Sequence, residues 1–128
     1  MGAAAAVQKG LFQSLGTLGY PVHDVAPQGG DLPCIVIGEI VFAPLDTKDR
    51  NGFDFVARIH VRSEVHNKLP VRQIQDAIYD RLHNATDDDL TIVGYRLILL
   101  RQEMADVIRE AQGQIHGVCE FRGLIETV

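Results

Sequence analysis

The stretch FDFVARIHVRS, residues 53–63, alternates between apolar and polar side chains, with Val56 as the exception. Successive side chains of a β-strand point to opposite faces, so this alternation predicts a strand with one buried face and one wet face. The polar row includes Arg58, His60 and Arg62, whereas the apolar row contains two phenylalanines and two β-branched residues. A sheet with one polar face therefore organises the predicted fold.

A second predicted strand precedes this one. Residues 34–42, CIVIGEIVF, are rich in β-branched side chains and apolar on both faces, which is typical of a strand. Pro44 ends it, and the polar stretch 45–52 closes with Asn51-Gly52, a strong turn signal. The two strands are therefore expected to pair as a long antiparallel hairpin.

Two amphipathic helices are predicted on either side of this hairpin. In residues 3–18 the apolar side chains recur every three or four positions, and Tyr20-Pro21 closes the segment. The second helix begins after Asn67, which can cap it, and carries Pro70 in its first turn. Its expected buried stripe consists of Val71, Ile74, Ala77, Ile78 and Leu82.

Two more strands are expected, in residues 95–104 and 114–126. The connection 105–113 fits either a helix or a hairpin, and residues 22–25 could form a short edge strand. Residues 1–128 are therefore predicted to form one α+β domain, an antiparallel β-sheet of about four strands with two α-helices packed on one face. The opposite face, here called the polar sheet face, meets either water or another subunit, and it carries Arg58, His60, Arg62, Glu120 and Arg122.

The composition argues against several classes of protein. The chain has 128 residues and a formal net charge of −5, so it lacks the basic stripe with which proteins read nucleic-acid sequence. DNA that merely passes such an acidic surface would be repelled and not held. The two cysteines, Cys34 and Cys119, lie in apolar stretches and are expected to be buried thiols. No signal-peptide or membrane-span pattern occurs, which predicts a soluble protein made in a cytoplasm.

The residues that could carry chemistry give no case for an enzyme. His116 and Cys119 are three apart on a predicted strand, so their side chains face opposite ways and cannot share a metal. The run Asp87-Asp88-Asp89 lacks the alternating spacing of a calcium loop and is expected to be a solvated turn. Phosphate-binding glycine motifs and nucleophile elbows do not occur, so the sequence predicts no catalytic residue, metal site or cofactor.

Several segments, taken in order, resemble the tail-completion proteins of tailed bacteriophages, a family that includes tail terminators. They cover nearly the whole chain from Val22 onward: VHDVAPQG (22–29), LPCIVIGE (32–39), DTK (46–48), VARIHVRS (56–63), IQDAI (74–78), LH (82–83) and HGVCEFRG (116–123). Cys34 departs from the family pattern, in which an aromatic residue often follows the proline, but the change keeps an apolar side chain there.

This resemblance implies a structural virion protein and not an enzyme. It would form a ring, commonly a hexamer, that ends tail-tube polymerisation at the head-proximal end of a tail and joins the tail to the head-side connector or stopper protein. Genomic DNA would pass through the ring without sequence-specific binding, and the ring would be assembled in the host bacterial cytoplasm. The contacts with tube or connector are expected at the tip of the first hairpin, in Thr47, Lys48, Asp49, Arg50 and Asn51.

Three alternatives stay open. The hairpin tip could simply be a loop that faces solvent. The chain could be another neck protein, a connector or stopper, which only its partner would distinguish. In a different class, Arg58, His60, Arg62 and Arg122 could bind a small anion in a monomeric pocket. Assembly state separates these hypotheses, because a ring subunit should bury its polar sheet face and strand edges against copies of itself.

Overall fold

Two α-helices and five β-strands make up the computed structural model, which describes residues 2–25, 32–46, 48–63, 67–110 and 114–128. The helices are α1 (Ala3–Gly16) and α2 (Lys68–Leu82). The strands are β1 (Val22–His23), β2 (Cys34–Pro44), β3 (Gly52–Ser63), β4 (Tyr95–Arg109) and β5 (Ile115–Thr127). The predicted α+β class is confirmed.

The strands form one sheet in the order β1-β2-β3-β5-β4. β1 runs parallel to β2, and all the other neighbouring strands are antiparallel. The prediction of an antiparallel sheet of about four strands is therefore corrected to a mixed sheet of five. The additional strand is only two residues long, with Val22 and His23 opposite Ile35 and Val36, and a segment that short shows no readable alternation.

The core lies between the sheet and both helices, as predicted. The alternation of β3 places Phe55, Ala57, Ile59 and Val61 on the buried face, where each is at most 1% exposed. α1 packs over β1 and β2, whereas α2 packs over β3, β4 and β5. The helix residues in this core are Ala3, Ala6, Val7, Leu11 and Leu15 of α1 and Val71, Ile74, Ile78 and Leu82 of α2.

The buried stripe of α2 differs from the prediction at one turn. Ala77 is only half-buried, whereas Gln75 is buried. Gln75 reaches the sheet because Gly117 of β5 has no side chain there: a Cβ on Gly117 would lie 2.7 Å from the Gln75 Nε2. The amide then donates a hydrogen bond to the backbone carbonyl of Asp106 at 2.8 Å, which satisfies it inside the core.

The connection between the last two strands is a hairpin, which settles the alternative left open by the sequence. β4 continues to Arg109, and the Glu110 N–H donates to the Gln114 carbonyl at 2.9 Å. Residues 111–113 lie outside the described part of the chain. Cys34 and Cys119 are both buried, as expected, and burial raises the pKa of Cys119 to about 12.

Candidate assembly surfaces

The polar sheet face is the side of the sheet that the helices leave uncovered. Arg58, His60 and Arg62 project from β3, and Glu120 and Arg122 project from the neighbouring strand β5. The register places Arg58 directly opposite Glu120. The structure therefore brings all five predicted residues onto one surface, in the arrangement that the alternation of β3 indicated.

Most charges of this face are already paired within the chain. Arg122 holds Asp54 of β3 through both carboxylate oxygens, with its Nε 3.1 Å from Asp54 Oδ1. This fork-to-fork contact keeps the pKa of Asp54 below its ordinary value, and it raises the pKa of Arg122. Arg58 lies between two carboxylates, with Glu120 at 3.2 Å and Glu39 at 3.4 Å.

Glu39 belongs to an irregularity in β2, where the pairing with β3 shifts between Ile37 and Ile40. The shift brings the Glu39 side chain onto the polar sheet face beside Arg58. A hydrogen bond from its own backbone amide, reinforced by His60 and Arg58, lowers the pKa of this carboxyl. Glu39 is therefore a carboxylate that links β2 to the charges of β3.

A pair of histidines joins β3 to β5 at one end of the face. The Nδ1 atom of His60 lies 2.8 Å from Nε2 of His116, so one nitrogen donates a hydrogen bond and the other accepts it. Nδ1 of His116 is 3.1 Å from a carboxylate oxygen of Glu110, and Nε2 of His60 faces Glu39 at 4.0 Å. Gly38 makes room for the His60 ring, because a Cβ there would come within 2.6 Å of it.

The predicted contact loop is the tip of the β2–β3 hairpin. Lys48, Asp49, Arg50 and Asn51 are exposed, whereas Thr47 lies outside the described residues. The base of the tip is fixed to the end of β5, where Arg50 Nη1 lies 2.7 Å from Glu126 Oε1. The Asn51 carbonyl also accepts hydrogen bonds from the Thr127 N–H at 2.8 Å and hydroxyl at 3.1 Å. The tip thus projects from a braced base.

The acidic residues after α2 accept hydrogen bonds from nearby backbone N–H groups. An oxygen of Asp87 accepts a hydrogen bond from the Leu97 N–H at 2.7 Å, and Asp89 accepts from the Thr86 N–H at 3.0 Å. These carboxylates therefore bind different backbone groups. In the described residues there is no cluster of three or more His, Cys, Asp or Glu side chains that could hold a metal ion.

Protonation of His60 should destabilise the fold. Burial, followed by the neighbouring His116, lowers the pKa of His60 below its ordinary 6.5. As the pH falls below 6.5, the histidine of the unfolded chain becomes protonated before His60 of the folded chain does. The free energy of unfolding therefore decreases as the pH falls through this range. His60→Gln removes this titrating group. We therefore expect the difference in the free energy of unfolding between the unchanged protein and His60→Gln to decrease as the pH is lowered from neutrality. Urea titrations across this range measure it, and a pH-independent difference would contradict the expectation.

The comparisons with known proteins agree with one another. The family model of tail completion protein gp17 matches residues 3–126. In the virion of a native gene transfer agent particle, one chain is similar in fold, with a TM-score of 0.83, 22% sequence identity and coverage of 97% of each chain. No curated protein sequence matches the chain. In the described part of this chain, neither helix is long and apolar enough to cross a membrane. The chain belongs to the tail completion protein gp17 family and is a structural protein of a phage tail.

Proposed function

We propose that this chain forms a ring of six copies on the last ring of the tail tube, at the head-proximal end of the tail. The ring ends tube polymerisation and joins the tail to the head-side connector. The family supports this role, and so does the relative in a virion particle. The structural observation that carries the proposal is the exposed hairpin tip on its braced base, because a contact loop must reach a neighbouring ring without losing its position.

The polar sheet face is the proposed contact between neighbouring copies. Its charged groups Arg58, Glu120 and Arg122 are paired inside one subunit, so a second copy need not supply their counter-charges. Paired charges cost less to cover than unpaired ones, since each partner keeps its hydrogen bonds. Exposed apolar side chains of β4 on the same face, Met104 and Ile108, provide apolar area for a stable contact.

The proposed lumen passes DNA without gripping it. Each copy carries a formal charge of −5, so a ring of six copies is acidic as a whole. Binding of the DNA backbone requires lysines and arginines that neutralise phosphates, and here Arg58 and Arg122 are engaged with carboxylates. The same pairing makes a small-anion site the weaker proposal. Nothing in the proposed role requires catalysis.

The hairpin tip provides the proposed contact with the tube or connector. Lys48 and Asp49 are exposed charged side chains of the tip, whereas Arg50 forms an ion pair with Glu126. Thr47 is included in the proposed contact on sequence grounds. Exposed charges at the rim of an interface mainly set the rate of encounter and the orientation of the partners.

Substitution of the tip should separate tube capping from self-association. We expect Lys48→Ala with Asp49→Ala to weaken binding to purified tail-tube protein about tenfold, which corresponds to roughly 1.4 kcal/mol. Self-association should not change, because the polar sheet face is intact. The measurement is mass by light scattering, for the chain alone and after mixing with tubes, together with tube length by microscopy.

Lys68→Ala is the matched control, since Lys68 is an exposed lysine at the start of α2. It should cap tubes as the unchanged protein does. A chain that stays monomeric and leaves tube growth unaffected would overturn the proposed function. A ring that ignores tubes but binds the portal side would instead identify a different neck protein, a connector or stopper.

A further inference from the structure

The two edges of the sheet differ in how their backbone groups are satisfied. Polar groups of the connection after α2 and of β4 itself bond to the outer edge of β4. The bonds join Leu97 N to Asp87 Oδ1 (2.7 Å), Leu100 O to Asn84 N (2.8 Å), Gln102 N to His83 Nδ1 (3.0 Å) and Val107 N to Asp106 Oδ1 (2.8 Å). Capping of this kind prevents another strand from pairing with the edge.

At the opposite edge of the sheet, most of β2 has no neighbouring strand, because β1 is short. β1 covers only Ile35 and Val36 of β2, and within the described residues no other strand lies outside β2. The Leu45 N–H donates to the Gly52 carbonyl of β3 at 2.9 Å. Because backbone groups alternate in direction along a strand, Val41 and Ala43 also bond to β3, whereas the N–H and C=O groups of Ile40 and Phe42 point outward.

This open edge has natural limits at both ends. The irregularity at Gly38 and Glu39 interrupts the pairing on one side, and Pro44, which has no N–H, ends it on the other. What remains is Ile40–Pro44, here called the open edge of β2. It offers two outward N–H groups and the carbonyls beside them, which suits an added strand of a few residues.

We propose that the open edge of β2 binds an extended segment of a different chain as an additional β-strand. The inference rests on the proposed function, under which that chain is the tail-tube protein. A second copy is the less suitable occupant, because bonds cap the outer edge of its β4 and its β1 is only two residues long. Pairing between the open β2 edges of two copies would be a two-fold contact, which closes at a dimer and not at the proposed ring. The copies then meet through the polar sheet face and leave the open edge for the tube.

The side chains beside the open edge indicate the chemistry of the added strand. Val41 is 65% exposed, and Ala43 is exposed next to it. With Val56 they form the apolar side of a concavity of about 420 Å³ on the polar sheet face, and its other lining residues are the Asp54–Arg122 pair, Glu103 and Glu120. An added strand places alternate side chains on this face, so an apolar side chain beside Val41 would enter the concavity and pack against its apolar side.

Hydrogen–deuterium exchange with single-amide resolution tests the proposal, in the chain alone and bound to purified tail tubes. On tube binding we expect the Ile40 and Phe42 amides to exchange at least about tenfold more slowly. The Val41 and Ala43 amides, already bonded to β3, should change little, and so should the capped Leu97 and Gln102 amides. This alternating pattern distinguishes an added strand from general shielding.

A charged substitution provides the second measurement. We expect Val41→Lys to weaken tube binding at least about tenfold, because lysine on an edge opposes strand addition. Val93→Lys is the matched control, since Val93 is exposed to a similar degree in the connection after α2. It should bind tubes as the unchanged protein does.

Each outcome decides between the alternatives. If the chain binds tubes but the Ile40 and Phe42 amides are not protected from exchange, the proposed strand addition is wrong. The proposed function would then remain intact. Protection of these two amides in tube-free assemblies would assign the edge to a second copy and overturn the present occupant. If light scattering shows that the unchanged chain does not bind tubes, the proposed function fails first and the inference fails with it.

Discussion

Replacement of Phe55 by alanine is expected to lower the free energy of unfolding by about 3–5 kcal/mol, the usual cost of removing a buried aromatic ring. Phe55 is 1% exposed on the core face of β3. Its ring packs against Phe42 of β2, with 5.7 Å between the centroids, and lies over Gly123 of β5. The truncation therefore leaves a cavity that three strands border, and these strands cannot close it without losing their own pairing.

Urea denaturation followed by circular dichroism measures this change directly. Phe12→Ala is the matched control, because Phe12 is 46% exposed on α1 and alanine is the better helix former. The control should change the free energy of unfolding by about 1 kcal/mol or less. A loss below about 1 kcal/mol in Phe55→Ala would show that the ring is not part of the packed core.

The elements with a strong period could be predicted from the sequence. β3 alternates almost without exception, and the apolar stripes of both helices repeat at helical spacing, so the pattern predicts the buried faces of these three elements, apart from Ala77 and Gln75 of α2. β4 was predicted to end near Met104 but continues to Arg109. Its pairing with β5 shifts twice, between Leu97 and Leu99 and again between Gln102 and Met104. Each shift moves the side chains to the other face, so no continuous alternation marks this strand.

The composition of the polar sheet face was predictable, but its internal pairing was not. The five polar residues follow from the alternation of β3 and from the final strand. Their partners Glu39, Asp54 and His116 depend on the register between paired strands, and local patterns do not contain that register. The two histidines illustrate this: His60 and His116 are 56 positions apart and meet at 2.8 Å.

The glycines of β5 carry information that residue patterns do not show. Gly117 admits the amide of Gln75 from α2, whereas Gly123 admits the ring of Phe55 from the same sheet. A glycine inside a strand normally weakens it, because it adds backbone entropy to the unfolded chain and no side-chain contact to the folded one. In β5 the missing side chains leave space that larger neighbours fill. The cost to the strand is therefore offset by burial in the core.

Gly123→Ala should reveal this compensation. At an open strand position the change would stabilise the fold by about 0.5–1 kcal/mol. Here the new methyl group would overlap the Phe55 ring, which is buried in the core, so we expect a loss of about 1–3 kcal/mol. Gly16→Ala is the control: a Cβ on Gly16, in the last turn of α1, meets no atom within 4 Å, and the change should be neutral or stabilising.

A double-mutant cycle attributes that loss to one contact. In the Phe55→Ala background the cavity accepts the methyl group, so adding Gly123→Ala should cost nothing or restore part of the lost stability. The coupling between the two positions is then about 1–3 kcal/mol, within the range measured for residues in direct contact. If the two losses simply add, the overlap with Phe55 is not the cause, and the glycine serves the backbone of β5 instead. A coupling of the expected sign would show that the large residue of β3 and the absent side chain of β5 form one packing unit.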